Sequence, residues 1–91
     1  MMDVKSAPFY PPAYELADVM AIKGLVAGTA NPEQQQRAMR WIIENACATY
    51  ELSYRPTSDR DTSFAEGRRF VGLQIVKALK LDISKLQRKE E

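Results

Sequence analysis

The sequence has no histidine and only one cysteine, Cys47, among its 91 residues. Without histidine the chain lacks the commonest general base and the commonest transition-metal ligand. One thiol provides neither an internal disulfide nor a thiolate zinc site within a single chain. No glycine-rich loop follows a strand pattern, so the common phosphate-binding loops are absent. We therefore expect a protein that is not an enzyme and that uses no metal or cofactor.

Charge of one sign is also scarce, because the formal net charge is +1 at pH 7. Strong non-specific DNA binding is not implied, since affinity for phosphates grows with the number of neutralised contacts. No apolar run approaches the roughly 20 residues that span a bilayer. The first residues lack the basic, apolar and small-residue order of a signal peptide. These features predict a soluble intracellular protein with no membrane partner and no small-molecule substrate.

The composition, 45% hydrophobic and 27% charged, is typical of one globular domain. Residues 1–12 carry the pair Pro11-Pro12 and are predicted to form an extended arm, because proline fixes φ and restricts the residue before it. Residues 13–91 are predicted to form a single helical domain. The arm has two interpretations: the aromatics Phe9 and Tyr10 pack on the nearest helix, or they anchor a neighbouring subunit.

The spacing of apolar residues predicts a first helix over residues 13–27 that ends at Gly28, or one turn earlier at Gly24. A second helix is predicted over residues 31–52, beginning at the capping residue Asn31 and followed by proline in the first turn. Its expected inward face consists of Met39, Ile42, Ile43, Ala46 and Tyr50.

A third helix is predicted over residues 59–81, with Phe64, Val71, Ile75 and Ala78 on one face. It contains Gly67 and Gly72, each of which costs about 1 kcal/mol relative to alanine. A helix with that cost usually has another backbone or ring close against it, here the small residues 46–48 of the second helix. The predicted fold is all-α, a small bundle of about three helices whose two longest form an antiparallel pair. Residues 83–91 are either a charged continuation or a frayed last turn.

Four arginines near the start of this third helix are the candidate binding residues. Arg68 lies on the apolar face, where it is either a side chain whose stem packs at the core margin, paired with an acid such as Glu66, or an interface arginine. With the two aromatics of the arm, the predicted partner-binding set is Phe9, Tyr10, Arg55, Arg60, Arg68 and Arg69.

Residues 54–56, Asp59, residues 62–69 (TSFAEGRR) and residues 71–75 (VGLQI) resemble the C-terminal signature of the Bbp19-like proteins of tailed bacteriophages. In that family a short loop leads into an Asp-capped helix that reads roughly T-A-F-x-E-G-R-R-x-V-G-L-x-I. The similarity covers about residues 31–80 and is strongest over residues 54–76, with Ser63 where the family often has alanine. The resemblance implies a role near virion assembly and implies no reaction.

Three functions follow as hypotheses. The first is a phage protein that acts by protein–protein contact in virion assembly, as a minor virion or head-portal accessory component or by self-association. The second is a DNA-binding accessory to genome packaging, which uses the arginines and the lysines after residue 76. The third is an inhibitor of a host enzyme or defence system. The expected location is the virion or the host cytoplasm.

Overall fold

The computed structural model describes residues 7–90, with side chains through Gln87. Over this range the chain is helical and has no strand, which confirms the predicted all-α fold class. The first six residues of the predicted arm lie outside the described residues. The elements in chain order are α1 (Leu16–Ala27), α2 (Pro32–Trp41), a π-helical segment that continues α2 (Ile42–Ala46), α3 (Asp59–Lys80) and α4 (Ile83–Glu90).

Side-chain caps set the start of α2 and of α3. Asn31 Oδ1 accepts the Gln34 N–H at 2.8 Å, and Gln34 Oε1 accepts the Asn31 N–H at 3.0 Å, which satisfies two backbone donors reciprocally. Ser58 Oγ accepts the Asp61 N–H at 3.1 Å. The third helix therefore begins at Asp59, as predicted.

The ends of α1 and α3 follow two different rules. Gly28 ends α1 in the left-handed region, with φ of 77°, as the sequence predicts. After α3 the chain is extended at Leu81, and Asp82 Oδ1 then accepts the Ser84 N–H at 2.9 Å and its hydroxyl at 2.6 Å. Because this cap starts a new helix, α4 is neither a continuation of α3 nor a frayed turn.

A charged cluster joins α1 to α2, which pack side by side with Ala21 and Ala38 fully buried. Arg37 Nε lies 2.8 Å from Asp18 Oδ1, and Arg37 Nη2 lies 3.2 Å from Glu15 Oε2. The guanidinium crosses from α2 to the first turn of α1 and so connects the two helices.

The second helix ends at Ala46 and not at Leu52. Ala48 has a positive φ of 48°, which is uncommon for a residue other than glycine and turns the chain away from the helix axis. The Thr49 hydroxyl and N–H both donate to the Ile43 carbonyl, at 2.6 and 3.2 Å, so one buried threonine satisfies that helix-terminal acceptor. Tyr50, expected on the inward face, is consequently 69% exposed.

The inward face of α3 is rotated relative to the predicted one. Its buried residues are Ala65 and Gly72, whereas Phe64 and Val71 are about half exposed. Among the described elements α3 contacts the π-helical segment and neither α1 nor α2. The two long helices thus meet only at the C-terminal end of the second, a narrower pairing than the sequence suggested.

Gly72 is the point of closest approach in this pairing. A Cβ at Gly72 would overlap the Thr49 hydroxyl oxygen and would lie 2.9 Å from the Cβ atoms of both Thr49 and Cys47. A Cβ at Gly67 would meet nothing within 4 Å. The expectation that both glycines allow α3 to approach the second helix is confirmed at Gly72 and is wrong at Gly67.

Gly72→Ala should lower the free energy of unfolding by roughly 1–3 kcal/mol, because overpacking against the buried Thr49 outweighs the gain in helix propensity. Denaturant unfolding of a dilute solution measures the change. The matched control is Gly67→Ala in the same helix, which should raise stability by up to about 1 kcal/mol. Equal effects of the two substitutions would contradict the close contact at Gly72.

The α1–α2 cluster makes stability depend on pH. The Glu15 N–H donates to the Asp18 carboxyl and, together with the Arg37 guanidinium, lowers its pKa. The pKa of this carboxyl in the unfolded chain is about 4. Because its pKa in the folded chain is lower, the carboxylate stabilises the fold above about pH 4, and this stabilisation is lost as the pH falls through the folded-state pKa. Asp18→Asn should therefore melt below wild type at pH 7, and the two melting temperatures should converge below about pH 4. Glu33→Gln is the control and should keep the wild-type pH profile; a constant offset between Asp18→Asn and wild type would contradict this account.

Candidate functional site

One arginine joins three separate segments of the chain. The Arg68 guanidinium donates from Nε and Nη2 to the Ala46 carbonyl at 3.1 and 3.0 Å, and from Nη2 to the Asn45 carbonyl at 3.1 Å. Its Nη1 donates to the carbonyl of Pro8, a fully buried residue of the N-terminal segment. We call this arrangement the Arg68 junction. It connects α3, the end of the second helix and the N-terminal segment.

Arg68 lies at the C-terminal end of the π-helical segment, and this position explains why an arginine is favoured there. The last carbonyls of a helix have no partner within it and carry the negative end of its dipole, so a cation placed there is favoured. Glu66, the acid proposed from the sequence as a partner of Arg68, instead accepts from the Ser53 hydroxyl and lies 3.4 Å from Arg69. The geometry thus gives Arg68 an internal bonding role, and its contact with a partner stays a prediction.

The N-terminal segment lies against α3 and the second helix. The ring of Phe9 meets the ring of Phe64 edge to face, with centroids 6.5 Å apart. Trp41 Nε1 donates to the Ala13 carbonyl at 2.9 Å and so fixes the segment just before α1. Phe9 nevertheless remains 64% exposed. Phe9 therefore packs on α3, as one interpretation of the arm expected, and most of its ring is still exposed to solvent.

An open groove of about 960 Å³ runs beside the Arg68 junction. Its walls include residues 10–13, residues 51–53, residues 55–57, Ala65 and Arg68. Three members of the predicted partner-binding set, Tyr10, Arg55 and Arg68, line this one groove. The structure therefore brings together residues that are far apart in the sequence, with three prolines and an exposed Leu52 beside them.

The connector on one side of the groove is held by hydrogen bonds. The Arg55 N–H donates to Thr62 Oγ1 at 2.7 Å, and Arg55 Nη1 donates to the Leu52 carbonyl at 2.7 Å. The Ser53 hydroxyl reaches Glu66 on α3. These contacts keep residues 51–57 in place between the two long helices.

The predicted arginine cluster does not form one basic patch. Arg60 and Arg69 are nine positions apart on α3, and at 100° per residue they point to opposite sides of the helix. Arg69 is paired with Glu66 at 3.4 Å, and Arg68 is occupied at the junction. A phosphate backbone that contacted Arg60 would therefore not reach Arg69 on the same face.

Apolar side chains remain exposed along α3 and α4. The half-exposed or more exposed members are Phe64, Phe70, Val71, Leu79, Leu81 and Ile83. The buried hydrophobic side chains, in contrast, are small, with three alanines and Cys47 beside Ile43. Cys47 is free and buried, as expected of a packing residue. Globular proteins usually bury their large apolar side chains in their own core. In this chain the buried apolar side chains are mostly small, and many of the large ones are exposed.

The sequence reasoning missed two residues of this site. Pro8 was treated as part of an arm, and Thr49 was not considered at all. Gly72 was the available signal for Thr49, because a close approach requires some buried group opposite the glycine.

In the part of the chain that the structure describes, no group of three or more acidic or cysteine side chains is placed to hold a metal ion. None of the helices described is long and apolar enough to cross a bilayer.

Comparison with protein-family models, curated proteins and solved structures finds no match. The resemblance to the Bbp19-like proteins over residues 54–76 therefore stays a prediction.

Arg68→Met should lower the free energy of unfolding by roughly 1.5–3 kcal/mol, because methionine keeps the apolar stem and loses the charge-assisted bonds to three carbonyls. Thermal or denaturant unfolding measures it. Arg69→Met is the matched control and should change stability by less than about 1 kcal/mol, since its ion pair is exposed. If Arg68→Met unfolds with the same free energy as wild type, the hydrogen bonds of Arg68 do not stabilise the fold and only its apolar stem contributes to packing.

Proposed function

We propose that this chain is a non-enzymatic phage protein that acts by protein–protein contact in virion assembly, as a minor virion or head-portal accessory component. The exposed apolar surface of α3 and α4 carries the contact part of the proposal. The resemblance over residues 54–76 supports the phage setting. In this role the protein works in the assembling particle or in the host cytoplasm around it.

The overall dimensions support a protein that works with a partner. The radius of gyration is 16.3 Å and the principal extents are 52 × 36 × 16 Å, whereas a compact domain of this length has a radius of gyration of about 12 Å. Large apolar side chains that a monomer leaves exposed in contiguous patches mark contact sites. An elongated chain with a core of small residues gains stability when another surface covers those patches.

Nucleic acid is a weaker candidate partner. The net charge is +1, and the arginines nearest the groove donate to backbone carbonyls. Phosphate binding depends on several free cations that face the same way, and Arg60 and Arg69 face opposite ways on α3. The contact hypothesis therefore ranks above the DNA-packaging hypothesis. Inhibition of a host protein uses the same kind of surface and is separated from assembly by the experiment below.

Quantitative mass spectrometry of purified phage particles tests the proposal. The chain should be present in a fixed number of copies per particle and should remain after washing at high salt, because an apolar contact is insensitive to ionic strength. Phe70→Gln, on the exposed apolar surface of α3, should lower the copy number, whereas Val26→Gln, on the exposed end of α1, should not. Absence from particles together with a stable complex with a host protein would contradict the assembly role. Loss from particles at a rate that rises steeply with salt would instead indicate DNA contact.

A further inference from the structure

No contact among the described residues, 7–90, explains Gly67. It lies in the interior of α3, is exposed, and a Cβ there would meet none of the described atoms within 4 Å. An alanine would stabilise an isolated helix by about 1 kcal/mol. Gly72, in the same helix, is explained by Thr49. A glycine that no internal contact requires indicates a close approach by something outside the chain.

Gly67 lies between two exposed apolar residues of the same helical face. Phe64 is 49% exposed and Val71 is 52% exposed, and they lie three positions before and four positions after the glycine. Ala78 continues the row one heptad after Val71, and Phe9 extends it at Phe64 through their edge-to-face contact. We call Phe64, Gly67, Val71 and Ala78 the α3 stripe. Spacings of three, four and seven are those of the seam between two packed helices.

We propose that the α3 stripe docks against the α3 stripe of a second copy of this chain, with the two helices antiparallel and closest at Gly67. This rests on the proposed function of protein–protein contact and names the partner for that surface. Gly67 lies near the middle of α3, so a two-fold axis beside it places Phe64 of each copy opposite Val71 of the other. A two-fold contact of one patch with itself is the commonest form of homo-oligomer.

The area that the chain leaves exposed is of the size that such a contact covers. The accessible surface is 7316 Å², and a typical monomer of 10.3 kDa exposes about 5400 Å². The excess is roughly 1900 Å² per chain, and permanent homodimers bury about 1000–2500 Å² on each subunit. The area that a second copy would cover is therefore of the same order as this excess.

The charges of α3 also favour an antiparallel second copy. The first turn carries Asp59 and Asp61 beside Arg60, and the last turn carries Lys77 and Lys80. Antiparallel pairing about Gly67 brings Asp59 of each helix near the level of Lys77 in the other, and it opposes the two helix dipoles. Parallel pairing would align the dipoles and place the two lysine-bearing ends together. These charges therefore favour the antiparallel orientation.

Sedimentation velocity over about 1–100 µM tests the surface. Wild type should sediment as a dimer, and Val71→Gln and Gly67→Gln should each raise its dissociation constant at least tenfold. Val26→Gln, the same substitution at a valine that is 86% exposed on α1, should leave the dissociation constant within about twofold. Neither Val71→Gln nor Gly67→Gln should lower the helix content measured by circular dichroism. Equal dissociation constants for Val71→Gln and Val26→Gln would overturn the proposal.

Disulfide trapping tests the orientation. Arg60 and Gln74 lie on the same side of α3 as the stripe and are seven positions before and after Gly67. In the antiparallel pair, a mixture of Arg60→Cys and Gln74→Cys chains should form the mixed disulfide faster than either forms its own homodimer. The wild-type chain, whose one cysteine is buried, is the blank. Faster homodimer disulfides would overturn the antiparallel arrangement.

The outcomes separate this inference from the proposed function. A monomer at every concentration that is still found in particles would overturn self-docking and would leave the contact role standing. A dimer that depends on Val71 but is absent from particles would support self-docking and would overturn the assembly role.

Discussion

The contact between Gly72 and the turn at Cys47–Thr49 is the interaction on which the rest of the structure depends. It is the closest approach of α3 to the end of the second helix, and it requires both a missing side chain on α3 and a helix that stops at Ala46. The Arg68 junction lies one turn before it and bonds the carbonyls that this stop leaves free. The two features act together: the glycine sets the distance, and the arginine fixes the direction and holds the N-terminal segment.

Because α3 is attached along one side only, much of its surface stays uncovered. The residues that it buries on that side, Ala65 and Gly72, are small. The large apolar side chains of α3 remain exposed at the surface. Burial of apolar area is the main favourable term in folding, so covering these residues would add stability that the chain's own core does not provide.

Local chemistry was predictable from the sequence, and long-range geometry was less so. The cap at Asn31 was predicted, and Gly28 was one of the two glycines expected to end α1, because both signals depend on neighbouring residues. The end of the second helix was missed, because no glycine or proline lies between residues 33 and 55 and the turn depends on Ala48 in a conformation that alanine rarely adopts. The rotation of α3 was missed for a related reason: the apolar rhythm that selects Phe64 and Val71 describes a face that packs, and it does not say whether the packing partner belongs to the same chain. Arg68 was singled out from the sequence as a candidate contact residue, but its acceptors in the structure are backbone carbonyls, which a sequence pattern does not reveal.

Amide hydrogen exchange of α3 and of the α1–α2 pair, followed by mass spectrometry at high and low protein concentration, tests the central claim most directly. If α3 is held in the single chain along one side only, at Gly72, at Arg68 and through its hydrogen bonds to residues 53–55, the amides of its exposed half should be protected at high concentration and should exchange faster on dilution. The α1–α2 amides, held by Ala21, Ala38 and the Arg37 cluster, should keep their protection on dilution. Protection of α3 that equals that of α1 and α2 and does not change with concentration would contradict the account.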